Sequence, residues 1–102
     1  MITIHKFPLE VMDEQRVRLP IDSEILCVQT QGKGFQERPC LWVQLDTDNQ
    51  ENQEDRTIAM RGTGHDLKEA AEAEYVGTFQ LSNGELVFHV FDRGIVENGA
   101  TA

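Results

Sequence analysis

The sequence predicts an all-β fold, a small antiparallel β-sandwich or barrel of about seven strands with one short helical insert. Seven short segments alternate apolar and polar residues at fairly even spacing, which is typical of sandwiches and barrels. Two of them flank Asn83-Gly84, which predicts a two-residue hairpin turn because both central residues of a type I′ turn need positive φ. Residues 66–73 alone begin like a helix. Of the two architectures we favour the sandwich.

The first half of the chain contains four predicted strands, at residues 3–7, 15–19, 24–31 and 40–45. Pro8 ends the first strand because proline cannot donate a backbone hydrogen bond to a neighbour. In the third, simple alternation places Leu26 and Val28 on one face and Ile25 on the other. The apolar face of the fourth strand consists of Leu41, Val43 and Leu45.

The segment from residue 47 to residue 73 changes character three times. Residues 47–55 contain no apolar side chain and predict an exposed acidic loop. Residues 56–61 predict a short fifth strand. Asp66 and Glu69 have the spacing of a capping box, with Asp66 as N-cap and Glu69 at N3, so we expect one or two helical turns through residue 73.

The hairpin over residues 75–91 is the clearest structural signal in the chain. A two-residue turn fixes its register, and side chains alternate between faces from there. One face is predicted to be core and carries Leu81, Leu86, Phe79, Phe88 and Val90. The other is a half-polar surface, with Thr78 opposite His89 and Val76 opposite Phe91. We expect a single β domain over residues 1–93, followed by a flexible tail of small polar residues over 94–102.

The formal net charge of −9 argues against nucleic acid as a ligand, since phosphate binding needs a basic patch. No apolar run is long enough for a membrane helix, and the first residues lack the apolar core of a signal peptide. Cys27 and Cys40 fit a reducing compartment as two buried thiols, with a single disulfide as the alternative. We therefore expect a cytoplasmic protein that binds neither nucleic acid nor membrane.

No catalytic or metal motif is present, so we expect a non-enzyme without metal or cofactor. His5, His65 and His89 lie on three different segments and lack the spacing of zinc ligands. Residues 46–51 have the acidic spacing that opens a calcium loop, but Glu51 replaces the glycine needed at the sixth position. Both cysteines fall within alternating apolar strands, which favours inert burial over nucleophilic chemistry.

The stretch Arg61-Gly62-Thr63-Gly64-His65 is the candidate ligand site. Two glycines let backbone N–H groups point outward, and a helix start, an arginine and a histidine add positive charge, which suits a phosphate. The alternative is a plain glycine-bearing bend. Trp42 or Tyr75 would supply a stacking surface, although a lone tryptophan in a small domain is more often core. Phe35, in a glycine-bearing loop, is a candidate contact for a protein partner.

Five runs of the sequence together resemble one family of small proteins. These runs are Ile4-His5-Lys6-Phe7-Pro8-Leu9, Pro39-Cys40-Leu41-Trp42, Arg61-Gly62-Thr63-Gly64-His65, Tyr75-Val76-Gly77-Thr78-Phe79-Gln80-Leu81 and Leu86-Val87-Phe88-His89-Val90-Phe91. The family is encoded by phages, prophages and bacteria and is classed as a domain of unknown function. The resemblance implies a phage-associated context and carries over no catalytic residue.

These observations lead to one main hypothesis and two alternatives. The main one is a phage-associated binding protein without enzymatic activity. It would inhibit a host defence protein, or sequester a small phosphorylated, nucleotide-like signal through Arg61, Thr63, Gly64 and His65. For that site we expect Arg61→Ala to abolish binding without unfolding the domain. The first alternative is an assembly module that forms a homodimer or larger homo-oligomer, since a small sheet leaves edges and faces to cover. The second is a metal-dependent enzyme that uses the three histidines.

Overall fold

The computed structural model describes residues 1–96, which form two antiparallel sheets packed face to face. The strands are β1 (Ile2–Pro8), β2 (Glu14–Pro20), β3 (Glu24–Gln31), β4 (Arg38–Asp46), β5 (Gln53–Gly62), β6 (Glu74–Leu81) and β7 (Leu86–Ile95). One sheet has the order β1-β4-β3 and the other β2-β5-β7-β6. The helical residues described form only short 3-10 turns. The prediction of an all-β sandwich with seven strands is confirmed.

The core lies between the two sheets. Its fully or nearly fully buried side chains are Leu9, Leu19, Val28, Leu41, Val43, Leu45, Ile58, Met60, Phe79, Leu81 and Val90. The predicted apolar face of residues 40–45 is therefore confirmed. Each buried leucine, isoleucine, valine or phenylalanine contributes about 1.5–3 kcal/mol relative to an exposed position. This apolar contact between the sheets is what holds the two layers together.

The β6–β7 hairpin has the predicted register from Leu81↔Leu86 as far as Gly77↔Val90. Its turn is as predicted: Asn83 and Gly84 have φ values of 56° and 90°, and the Glu85 N–H donates to the Ser82 carbonyl oxygen at 3.1 Å. A bulge then places Tyr75 rather than Val76 opposite Phe91.

The bulge and the fold around the hairpin correct three burial predictions. Val76 packs against the main core, which the predicted half-polar face did not anticipate. Phe91 is buried in a second small cluster with Ala59 and Ala70, because the insert after β5 covers that part of the outer face. Leu86, predicted to be core, is exposed because it lies beside the turn at the end of β7.

A second bulge, between Ile25 and Cys27, overturns the predicted faces of β3. Ile25 lies opposite Val43 and packs against the core, as Val28 does. Leu26 is the residue inserted at the bulge and is exposed. A bulge inserts one residue without a cross-strand partner, so the strict alternation assumed for residues 24–31 does not hold.

The predicted exposed loop over residues 47–55 is shorter than expected, because β5 begins at Gln53. Arg56 lies between two carboxylates, with Nε 3.2 Å from Glu54 Oε2 and Nη1 3.0 Å from Asp92 Oδ2. All three side chains are largely buried. Because these charges compensate one another inside the fold, an acidic stretch that suggests solvent exposure continues instead as a strand.

The insert after β5 is a 3-10 turn over Lys68–Glu72, and the predicted capping box does not form. Leu67 occupies the N-cap position and makes no side-chain cap. Asp66 Oδ1 instead accepts a hydrogen bond from the Lys68 N–H at 3.0 Å, and Lys68 has a φ of 54°. A residue with positive φ cannot continue an α-helix, so the insert stays short.

The chain end differs from the predicted boundary at residue 93. Strand β7 continues to Ile95, and the Val96 N–H donates to the Asp55 carbonyl oxygen at 2.8 Å. Residues 97–102, the rest of the predicted tail, lie outside the described residues.

Candidate functional site

Arg61, the predicted anion ligand, is only 7% exposed and binds the protein itself. Its Nη1 donates to the carbonyl oxygens of Asp13 at 2.7 Å and Met60 at 3.1 Å, and its Nε donates to that of Leu67 at 3.1 Å. Its Nη2 lies 3.3 Å from Glu14 Oε2. The guanidinium group thus joins the start of β2, the end of β5 and the insert. This set of contacts is that of a structural arginine.

The loop after Arg61 is a tight turn that uses two of the N–H groups needed for a phosphate cradle. The His65 N–H donates to the Gly62 carbonyl oxygen at 3.1 Å, and the Thr63 N–H donates to that of Val87 at 3.3 Å. Gly64 has a φ of +85°, as the third residue of a type II turn requires. The His65 ring covers Gly62, where a Cβ atom would lie 3.0 Å from the ring. These contacts favour the plain bend over the cradle.

A small concavity of about 230 Å³ beside this turn is lined by Asp13, Arg61, His65, Asp66 and Lys68. Two carboxylates there accompany the cationic side chains. A phosphate in this concavity would meet the Asp13 and Asp66 side chains as like charges, which lowers its affinity. Anion binding at Arg61, Thr63, Gly64 and His65 stays a prediction that these contacts do not favour.

His89 links two of the predicted ligand residues on the outer face of the four-stranded sheet. Its Nε2 lies 2.8 Å from Thr63 Oγ1 and its Nδ1 lies 2.9 Å from Thr78 Oγ1, which in turn hydrogen-bonds Tyr75 Oη. The predicted opposition of Thr78 and His89 is confirmed. The Tyr75 ring packs edge-on against Phe91, with centroids 5.7 Å apart. Both imidazole nitrogens therefore have hydroxyl partners.

Trp42, the other predicted stacking residue, lies on the opposite side of the molecule. It occupies the outer face of the three-stranded sheet, between Lys6 on β1 and Cys27 on β3. Its ring is half-buried, and its Nε1 is buried without a hydrogen-bond partner. The fold therefore separates Trp42 from the Arg61–His65 turn, and the two cannot form one small-ligand site.

Phe35 is the most exposed large apolar residue of the chain, at 98%. It lies on the 3-10 turn Gly34–Gln36 that joins β3 to β4. Beside it a surface groove of about 670 Å³ is lined in part by Leu9, Val11 and Pro39. We call Phe35, Val11 and this groove the tip surface. Sequence reasoning singled out Phe35 but passed over Val11, whose signal was an apolar pair, Val11-Met12, within a link between strands.

The tip surface is held in place by bonds to both sheets. The Leu9 N–H donates to the Pro39 carbonyl oxygen at 2.8 Å, and Arg38 Nη2 lies 3.2 Å from Glu10 Oε1. Glu37 Oε1 accepts a hydrogen bond from the Ser82 N–H at 2.9 Å. Because these contacts fix the loop around it, the exposure of Phe35 is a consequence of the fold.

One family model matches residues 1–99, and its description is "Domain of unknown function (DUF7352)". The chain belongs to this family. The match covers nearly the whole sequence and confirms the predicted membership of a domain of unknown function. No curated protein and no solved structure matches the chain. Family membership therefore leaves the activity to be argued from the chain's own residues.

The histidines and cysteines remain apart within residues 1–96. No group of three or more His, Cys, Asp or Glu side chains in that part of the chain is arranged to hold a metal ion. Cys40 is a buried free thiol and Cys27 a half-buried one, each opposite a different residue of the neighbouring strand. None of the helical turns in the same range is long and apolar enough to span a membrane.

Proposed function

We propose that this chain is a non-enzymatic binding protein that captures a protein partner through the tip surface. The observation that carries the proposal is the 98% exposure of Phe35 on a loop fixed by bonds to both sheets. An aromatic side chain held in water contributes nothing to the core. At an interface it contributes large apolar area with few rotamers to immobilise, which is why aromatic anchors dominate binding energy.

The surroundings of Phe35 support a protein partner rather than a small molecule. The groove beside it is open and combines apolar Leu9, Val11 and Pro39 with the charged pair Glu10 and Arg38. An apolar centre with a charged rim is the usual anatomy of a protein–protein interface. Small ligands are normally enclosed in deeper pockets.

The resemblance to phage and prophage proteins makes a host protein, such as a defence factor, the proposed partner, and places the protein in the cytoplasm of the host cell. Stoichiometric inhibition would follow from occupying that partner's surface. Capture of a small nucleotide-like signal has less support, because the Arg61 guanidinium and the neighbouring N–H groups are already bonded within the chain. A metal-dependent enzyme has less support still, because the three histidines lie on separate elements.

A photoreactive phenylalanine analogue at position 35 tests the proposal in a lysate of phage-infected bacteria. We expect one discrete adduct, which excess unlabelled wild-type protein suppresses and the Phe35→Ala variant suppresses at least about tenfold less well. The matched control carries the same analogue at Tyr75, an exposed aromatic on the other sheet. Equal suppression by wild type and Phe35→Ala, or the same adduct from position 75, would overturn the proposal.

A further inference from the structure

The outer face of the three-stranded sheet is apolar and uncovered. Ile2, Ile4 and Leu26 are 62%, 52% and 40% exposed, and they lie around the half-buried rings and thiols of Trp42 and Cys27. The corresponding face of the other sheet is partly covered, since the insert packs on Ala59 and Phe91. We call the face formed by Ile2, Ile4, Leu26, Cys27 and Trp42 the Trp42 face.

The Trp42 face carries one charge of each sign at opposite ends. Glu24 lies opposite Gln44, towards one end of β4. Lys6 starts opposite Trp42, but its side chain crosses the sheet and Nζ donates to Gln31 Oε1 at 2.9 Å. Gln31 lies opposite Arg38, at the other end of β4. The ammonium group and the Glu24 carboxylate are thus both at β3, about three residues from the row of Leu41 on either side.

From this arrangement we propose that a second copy of the chain docks on the Trp42 face about a two-fold axis. The axis lies between the two faces, perpendicular to the strands, and passes close to the row of Leu41. It reverses the direction of the strands while keeping β3 over β3, so Lys6 of each copy meets Glu24 of the other. An isologous contact of this kind satisfies both charges twice.

The charge pattern favours a second copy over a different partner. A uniformly basic partner, which the net charge of −9 would otherwise attract, meets the Lys6 ammonium group as a like charge. The face's own two-fold image places an opposite charge at each end. The same axis points the two Phe35 residues in opposite directions, since each lies at the β3–β4 end of its own copy. A dimer would therefore be bivalent, and the Trp42 face itself does not include the tip surface.

Sedimentation equilibrium of the full chain and of matched variants tests the dimer. We expect wild type to dimerise, Ile4→Glu to be monomeric, and Ile95→Glu, a similarly exposed position on β7, to behave like wild type. Lys6→Glu or Glu24→Lys alone should weaken the dimer about tenfold or more, and the double swap should restore it to within about threefold.

Circular dichroism of each variant separates loss of the dimer from loss of the fold. A wild-type chain that stays monomeric at high micromolar concentration overturns the proposal. So does a dimer that Ile4→Glu leaves intact, or a double swap that restores nothing. The Phe35→Ala variant should dimerise normally, so this proposal and the proposed partner binding can fail separately.

Discussion

Arg61 Nη1 lies 2.7 Å from the Asp13 carbonyl oxygen, and this bond ties the residue before β2 to the end of β5. The same guanidinium group satisfies the carbonyl oxygens of Met60 and Leu67. A residue that the sequence suggested as a ligand donor therefore acts as an internal connector. Its substitution tests which role is correct.

Arg61→Ala should lower the free energy of unfolding by about 3 kcal/mol, because it leaves several largely buried acceptors without their charged donor. Urea unfolding followed by tryptophan fluorescence measures this. Arg16→Ala is the control, since Arg16 is exposed on β2, and should change stability by less than about 0.5 kcal/mol. If Arg61→Ala unfolds like the control, the structural role assigned to Arg61 is wrong.

Arg56→Met should destabilise the fold by about 3–5 kcal/mol, since it leaves the largely buried Glu54 and Asp92 carboxylates facing each other without a counter-charge. Adding Glu54→Gln and Asp92→Asn should recover part of that loss. Arg18→Met breaks an ion pair whose arginine is 64% exposed and should cost less than about 1 kcal/mol. Thermal and urea unfolding of the three variants give the comparison. Equal losses for Arg56→Met and Arg18→Met would contradict it.

Gly32→Ala should distort the loop that presents Phe35. Gly32 has a φ of +89°, and an added Cβ would lie 2.4 Å from the Gln36 carbonyl oxygen, a backbone atom that cannot move aside. We expect a loss of about 2–3 kcal/mol and weaker partner capture. Gly34→Ala is the matched control, because Gly34 also has positive φ but open space around it, so only the cost of about 1 kcal/mol for that conformation remains. Unfolding and photo-crosslinking assays should rank the two variants in this order.

The pKa of the Asp46 carboxyl should be below its ordinary value of 3.8. The main cause is the hydrogen bond from the Asp48 N–H at 3.0 Å, and the second is the hydrogen bond from the Met1 amino group. Because the folded pKa is the lower one, the stabilising contribution is complete above the unfolded value and is lost as the pH falls through the folded pKa. Carboxyl NMR titration measures it directly. Asp46→Asn should remove this acid-dependent contribution, and a measured pKa at or above 3.8 would contradict the assignment.

Local signals determined much of the fold. The Asn83-Gly84 turn set the register of the last hairpin as far as Gly77, and alternation identified Leu41, Val43 and Leu45 as core. These signals succeed because a turn type and a two-residue period depend only on neighbouring residues. The five runs that resembled the phage family likewise predicted the membership that the family model confirms.

Tertiary contacts decided what the candidate residues do. The sequence by itself identified seven strands, the hairpin, the family and an exposed Phe35. It could not show that Arg61 is surrounded by backbone carbonyl oxygens, or that Trp42 and Tyr75 lie on opposite sheets. The bulges at Leu26 and Val76 were equally hidden, since a bulge arises where a strand must fit its neighbour. Which donors are free, and which faces are uncovered, depends on residues far apart in the chain, and only packing brings them together.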